Sequence, residues 1–389
     1  MRLSWLRRGY STAAVRLPTL EDLYLKKGDN AMSGGVDSSV TLSVLRELPL
    51  NLSVLFMRNW DPLLSENADE LPLSLSYGTP ATHSPCSWER DWEDVKRVCK
   101  HVGIPQSDIR LVDLSKEYWT RVFEPAIAVW EAGQTPNPDV ACNREIKFGA
   151  LMQHIPPGHF LATEGATLHR ALDANKDQTY YLSQVREEQL AKAVFPLAGI
   201  PKPSVRDLAR HFNLPTAERE ESMGVCFIGE RGKFGDFVSQ YTSPAEPGYF
   251  VNLEGERMAP HRGNCYYTIG QRPRLGGLPG GRWYIARKHV NGNDILLVQG
   301  ADHPALYCER LWSSDFNWIA GHPPEHIDNA LIQIRHRMEP VPGRVSVEGR
   351  VRVDFDKPIG AVAEGQIVGV WDGDRCLGSG VIEETKTSA

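Results

Sequence analysis

The sequence predicts an α/β fold class: a parallel-sheet domain covered by helices, followed by smaller β-rich parts. Strand-like apolar runs alternate with helix-like segments from about residue 30 to 230, a Gly-Gly turn at 34–35 leads into a helical run, and after Phe250 short strands lie between Gly and Pro turns. Alternation of strand and helix is what a parallel sheet requires, because each crossover carries the chain back to the same end of the sheet.

Taken in order, NLSVLFM (51–57) reads as a strand and DWEDVKRVCKHVG (91–103) as an amphipathic helix closed by a glycine. IRLVDL (109–114) reads as the next strand and KEYWTRVFEPAIAVWEAG (116–133) as the next helix. Residues 26–31 (KKGDNA) hold no β-branched run, so no strand is expected ahead of the Gly-Gly turn. The polar, Pro-rich segment 62–85 reads as a surface loop. Past Phe250, CYYTIG, RWYIARKHV, DILLVQG, VEGRVRVDF and QIVGVWDGDRCLGSGVI have the length and spacing of strands in a small domain and a barrel. The tryptophans of DWEDV and KEYW are expected in the core or on helix surfaces, and Tyr266 and Tyr267 inside the second domain.

Composition narrows the class without choosing it. At 389 residues the chain exceeds one ordinary core, and its apolar content of 41% with 24% charge is that of a folded protein. No apolar run approaches the roughly 20 residues that cross a bilayer, so no membrane partner is expected. A net charge of −6 argues against a basic surface over the whole chain, but it leaves local basic grooves open. The seven cysteines are scattered and form no CxxC pair, which argues against a zinc knuckle or a disulfide framework. The first stretch carries Arg2, Arg7, Arg8 and Arg16 with no acid before Glu21. That is the composition of a mitochondrial transit peptide, with a plain basic arm as the alternative.

Two segments carry chemistry. Met32-Ser33-Gly34-Gly35-Val36-Asp37-Ser38-Ser39 brings backbone close to an anion through its glycines and adds three hydroxyls. The helix that follows aims its N-terminus at phosphate. Asp37 suits a Mg²⁺ ion carried by a nucleotide. The P-loop pattern GxxxxGK[ST] is absent. In Thr135-Pro136-Asn137-Pro138-Asp139-Val140-Ala141-Cys142, two prolines stiffen a turn that ends at a cysteine before a helical run. A thiol at a helix N-terminus near Arg144 and Lys147 is expected to ionise more easily. A second cysteine, Cys226, lies in the short apolar stretch Gly224-Val225-Cys226-Phe227-Ile228.

These motifs, with Phe56-Met57-Arg58-Asn59-Trp60, Lys176-Asp177-Gln178-Thr179-Tyr180-Tyr181-Leu182, Tyr267-Thr268-Ile269-Gly270-Gln271-Arg272 and Ile334-Arg335-His336-Arg337, resemble those of the tRNA-specific 2-thiouridylases in kind and order. The resemblance runs from about residue 31 to 384. It implies an N-type ATP pyrophosphatase (PP-loop) domain at 21–230 after a targeting segment at 1–20. A small tRNA-contacting domain at 231–305 and a C-terminal β-barrel at 306–389 would follow.

The resemblance further implies that Cys226 carries sulfur as a persulfide and that Cys142 is its catalytic partner, with Asp139 an acid/base candidate. Met32, Ser33, Gly34, Gly35, Val36, Asp37, Ser38, Ser39, Met57 and Gly165 would hold ATP with Mg²⁺. Asn137, Pro138 and Asp139 would surround the target base, and Lys176, Asp177, Gln178, Arg335, His336 and Gln366 would touch tRNA. The expected partners are the tRNAs for Lys, Glu and Gln in the mitochondrial matrix, with a cysteine desulfurase or persulfide carrier as sulfur donor. One departure lies at 161–170, where the family's glycine–histidine pair is missing and only Gly165 matches. Three alternatives stay open at this stage. Another pyrophosphatase of the same loop would need no cysteine pair, a non-catalytic tRNA-binding homologue would consume no ATP, and a redox thiol protein would cycle without tRNA.

Overall fold

A computed structural model describes residues 27–60, 87–155, 165–220, 234–273, 275–276, 281–290, 292–327 and 330–388. The targeting segment, the 62–85 loop, Cys86 and Cys226 lie outside the described residues. The first domain is built on a parallel sheet of β1 (Lys27–Met32), β2 (Asn51–Arg58) and β3 (Ile109–Asp113), in that spatial order. Helices α1 (Val36–Arg46) and α2 (Ser87–Val102) form its crossovers.

β1 corrects the expectation that no strand precedes the Gly-Gly turn. Residues 27–32 run parallel to β2 in unbroken register, from Lys27 opposite Asn51 to Met32 opposite Phe56. The ladder is made by backbone groups, so it does not require a β-branched run. Its last residue, Met32, is buried in the first core.

Alternation along β2 feeds two cores. Val54 and Phe56 face one side with α1 and α2, while Leu55 faces the other. On α2, Trp88, Trp92, Val95, Val98, Cys99 and Val102 recur at helical spacing and pack into the first core, and Gly103 ends the helix at φ +82°. The second core is closed by three consecutive helical segments, Ser115–Tyr118, Trp119–Phe123 and Glu124–Glu131, and by helix α3 (Pro138–Cys142). Trp60 anchors it, with the rings of Tyr118, Trp119, Phe123, Phe237 and Tyr241 all within 6.3 Å. The tryptophans of both segments are thus packing residues, as expected. Tyr266 differs from expectation: it packs against this second core of the first domain, while Tyr267 joins the small sheet.

That small sheet has β5 (Gly248–Val251), β6 (Arg257–His261), β7 (Trp283–Val290) and β8 (Asp294–Gln299) in the order β6-β5-β8-β7. The C-terminal barrel is a large antiparallel sheet from β9 (Tyr307–Ser313) to β16 (Glu384–Thr387), curled around its own apolar core. One short strand of the first domain, β4 (Leu168–His169), adds to β15 (Arg375–Val381) of the barrel. The two domains share a core in which Val140, Leu168, Tyr180 and Leu182 meet Ile319, Ile367, Trp371 and Cys376.

Buried Tyr180 is the polar rivet of this joint, its hydroxyl 3.1 Å from the Ile334 carbonyl and 3.0 Å from that of Ile367. Tyr180→Phe removes a buried hydroxyl that reaches two backbone carbonyls. It is expected to lower unfolding free energy by about 1–2 kcal/mol, read as a lower urea midpoint. An unchanged midpoint would show that the joint does not depend on this hydroxyl.

Candidate active site

The phosphate loop is held open by local chemistry. Gly34 sits at φ +75°, a conformation that side chains resist, and Gly35 starts α1 with no side chain capping it. Ser38 Oγ and Ser39 Oγ donate to the Gly35 carbonyl at 3.1 and 2.7 Å, and the Ser33 amide reaches Ser38 Oγ at 3.3 Å. These bonds fix the turn while leaving the start of the helix to an anion.

The loop is clamped from behind by Arg219. Its guanidinium donates to the Gly34 carbonyl at 2.8 Å and pairs with Asp91 and Asp94 on α2. A Cβ on Gly34 would lie 2.6 Å from the Asp91 carbonyl oxygen, so loop and helix touch backbone to backbone.

In front of the loop lies a cleft of 640 Å³. Met32, Ser33, Asp37, Ser38 and Met57 line it on the loop side, and Lys147, Phe148, Lys176, Asp177, Gln178 and Lys202 across from them. Five of the residues expected to hold nucleotide are therefore gathered here. Gly34, Gly35, Val36 and Ser39 are not among its lining residues: Val36 and Ser39 are buried, and Gly34 is packed against α2. Gly165 also lies away from the cleft, exposed, with its amide bound to Glu187 Oε1 at 2.8 Å. His169 lines the cleft instead, as the end of β4. Asp37, expected beside Mg²⁺, forms an ion pair with Lys202 at the start of helix α4 (Lys202–His211).

The residues expected at the base and at tRNA converge around one joint. Asn137 caps α3, accepting from the Val140 amide at 3.3 Å, and Pro138 occupies the first helical position, where its missing N–H costs nothing. Gln366 of the barrel donates to the Thr135 carbonyl at 3.0 Å and lies 3.5 Å from the Asn137 amide nitrogen. Burial raises the carboxyl pKa of Asp139, with Lys147 opposing, so it holds a proton above the usual carboxylate range. The His336 ring stacks 4.4 Å from that of Tyr181. Arg335 and His336 lie in a turn after β11 (Ala330–Gln333), not on a strand face.

Two expectations change. Asp177 is no open contact for RNA: it accepts from Arg170, the Ala171 amide, and both the amide and hydroxyl of Thr179. Its carboxylate organises the turn that presents Lys176 and Gln178. Cys142 is the last residue of α3, beyond the first turn, so the positive helix end lies at Pro138 and Asp139 instead. It is buried beside Leu55, Tyr118 and Ile146, and Arg144 is engaged by Glu145 and Gln184. Arg219 and Lys202 were not legible as site residues. One sits in the charge run Glu218-Arg219-Glu220-Glu221 and the other opens an amphipathic helix, both patterns of solvated surface.

Gly34→Ala is expected to weaken ATP binding roughly tenfold or more, because a left-handed φ and a backbone clash coincide there. Gly35→Ala, whose added carbon meets only Ser33 Oγ at 3.4 Å, should change it little. Calorimetric titration with ATP–Mg²⁺ checks both, and equal losses would deny Gly34 its special place.

Comparison with known proteins follows the same three-part division. Residues 29–230 match a family model described as tRNA methyl transferase HUP domain, 235–299 the tRNA methyl transferase PRC-barrel domain, and 309–382 the aminomethyltransferase beta-barrel domain. The chain is 39% identical over 370 residues to tRNA-specific 2-thiouridylase MnmA of Bacillus pumilus, covering 91% of this chain and 94% of that one. It is 40% identical over 370 residues to the MnmA of Hahella chejuensis, covering 90% and 96%. Among solved structures, it overlaps NMN synthetase from Francisella tularensis at a TM-score of 0.30 and 13% identity, over 51% of this chain and 67% of that one. That likeness carries neither fold nor function. With a phosphate loop, a cysteine-bearing helix and a barrel docked beside that helix, matched at this identity over nine-tenths of its length, the chain belongs to the tRNA-specific 2-thiouridylase family.

Proposed function

We propose that the protein carries out ATP-dependent 2-thiolation of the wobble uridine in mitochondrial tRNAs for Lys, Glu and Gln. The observation that carries this reading is the shared cleft. The phosphate loop and Lys176–Gln178 line one 640 Å³ space, and Asp139 and Cys142 lie on the helical run that continues into Lys147 and Phe148 of its wall.

The chemistry asks for those parts. The C2 oxygen of uridine is a poor leaving group, and ATP, when bound, supplies the adenylyl group that turns it into a phosphate ester, releasing pyrophosphate. Gly34, Gly35 and the first amides of α1 hold the phosphates, and Ser33 and Ser38 add hydroxyl donors. The residues fit a nucleotide carrying Mg²⁺, since Asp37 is an exposed carboxylate at the cleft and Lys202 balances its charge.

Sulfur then arrives on Cys226 as a persulfide from a desulfurase or carrier. The terminal sulfur attacks C2 and AMP departs, while the Cys142 thiolate attacks the S–S bond and leaves a Cys142–Cys226 disulfide for an external thiol to reduce. In the alternative order, that attack frees sulfide first and the sulfide attacks C2. Asp139, whose pKa burial raises against the Lys147 charge, serves as the acid/base that exchanges a proton with the uridine ring. The target base must leave its stack to enter the cleft, and Lys176, Gln178, Arg335, His336 and Gln366 line its approach.

Nucleoside mass spectrometry of tRNA incubated with the protein, ATP–Mg²⁺ and a persulfide source tests the reading. 2-Thiouridine is expected with the intact chain and is expected to vanish with Cys142→Ser or Cys226→Ser. Asp139→Asn should lower the rate by roughly 10²-fold and flatten its pH profile. Product formed equally by both serine variants would exclude the two-thiol mechanism. tRNA binding without product would favour a non-catalytic homologue.

We also place the protein in the mitochondrial matrix, on the strength of the acid-free basic segment before Glu21. A reporter fused to residues 1–20 should be imported and cleaved by isolated mitochondria. Persistent protease sensitivity outside them would refute this placement.

A further inference from the structure

The chain ahead of Asn137 is held from outside its own domain by a residue in a strained conformation. His289 of β7 sits at φ +56°, in the left-handed region that side chains resist. A β-bulge puts it there. Arg287 pairs with Leu296 and Val290 with Asp294, so Lys288 and His289 together oppose Ile295 alone. Such a bulge re-aims a side chain, and here the imidazole reaches the first domain. Lys288, its neighbour in the bulge, donates to the Tyr267 carbonyl at 2.7 Å.

Three contacts define what the ring does. Asn264 Nδ2 donates to His289 Nδ1 at 3.3 Å and to the Asn293 carbonyl at 3.2 Å, which fixes the direction of the amide. The ring proton therefore sits on Nε2, which donates to the Ala132 carbonyl at 3.2 Å. Ala132 caps the helical segment Glu124–Glu131, where the last carbonyls have no partner within the helix. The third contact is a close approach. A Cβ on Gly133, itself at φ +75°, would lie 2.1 Å from His289 Nε2, so the imidazole fills the space that a side chain would need.

Gly133 leads through Gln134-Thr135-Pro136 to Asn137, the cap of the helical run that bears Asp139 and Cys142. Pro136 and Pro138 stiffen this stretch, so a shift at Ala132 is passed on to Asn137. Thr135 is steadied from the small domain as well, its Oγ1 lying 3.4 Å from that of Thr268. Local strain persists only where the surroundings over-determine it, and it collects at functional sites.

We propose that His289 is a positioning residue for the thiolation site. Through the Ala132 carbonyl and Gly133 it sets where the Asn137 cap stands, and with it Asp139 and Cys142. The inference rests on the thiolation reading above.

The test combines steady-state thiolation kinetics of the full chain with peptide-resolved alkylation of Cys142 by iodoacetamide. His289→Asn tolerates the left-handed φ but is too short to reach Ala132. It is expected to lower kcat roughly tenfold, with KM for tRNA and ATP kept within about twofold. His289→Gln, whose amide can extend to the same carbonyl, should recover part of the loss. Gly133→Ala drives the ring away from the other side and should lower kcat to a similar degree, which covers a His289 variant that does not fold. Alkylation of buried Cys142 should quicken roughly threefold in His289→Asn, whereas Cys99 in the first core should keep its rate. Cys99 quickening in step with Cys142 would mark general loosening and overturn the proposal. So would an unchanged kcat in the folded variants, a rise in KM in its place, or His289→Gln no more active than His289→Asn. If the intact chain makes no 2-thiouridine, the thiolation reading falls, and the alkylation rates alone decide whether His289 holds this stretch.

Discussion

The clamp between Arg219 and the Gly34 carbonyl is the contact on which the site depends. A phosphate loop works only if its backbone dipoles are already aimed when the anion arrives, since reorganising them during binding would consume much of the interaction. Arg219 supplies that fixation from outside the loop, tying the Gly34 carbonyl to Asp91 and Asp94 on α2. The glycine at this position serves two ends at once. It adopts φ +75°, and it lets the loop backbone rest against the Asp91 backbone where no side chain fits.

A second constraint is the docking of the barrel onto the first domain. Cys142 and Asp139 sit in the first turns of a helical run that continues from Pro138 to His154. Its start is fixed by neighbours from far along the chain. The Thr135 amide donates to the Glu364 carbonyl at 2.9 Å, and Gln366 grips the Thr135 carbonyl. Tyr180 and the shared core hold the Lys176–Gln178 turn in place on the same joint. The barrel therefore acts as part of the scaffold of the candidate site.

Charge in the site follows burial and pairing more than sequence neighbourhood. Asp177, which reads as half of an exposed pair with Lys176, is a saturated internal acceptor. Asp139 lies in the first turn of a helix, where a carboxylate is ordinarily favoured, yet burial outweighs the opposing Lys147 charge and raises its pKa.

The sequence by itself determined the fold class, the helices and strands with a clear period, and the phosphate loop. These rest on local rules: apolar spacing, glycine conformational freedom and proline stiffness act within a few residues. It also carried the family resemblance, because the motifs preserve their order along the chain. Tertiary structure decided the rest. β1 exists because β2 offers it a complete backbone ladder, which no count of β-branched residues reveals. Gly165 turned away from the cleft, Asp177 became internal, and Cys142 moved beyond the first turn of its helix. Arg219 and Lys202 became site residues only when contacts 185 and 165 residues apart closed, since a charge in a polar run acquires its meaning from the partner the fold brings to it.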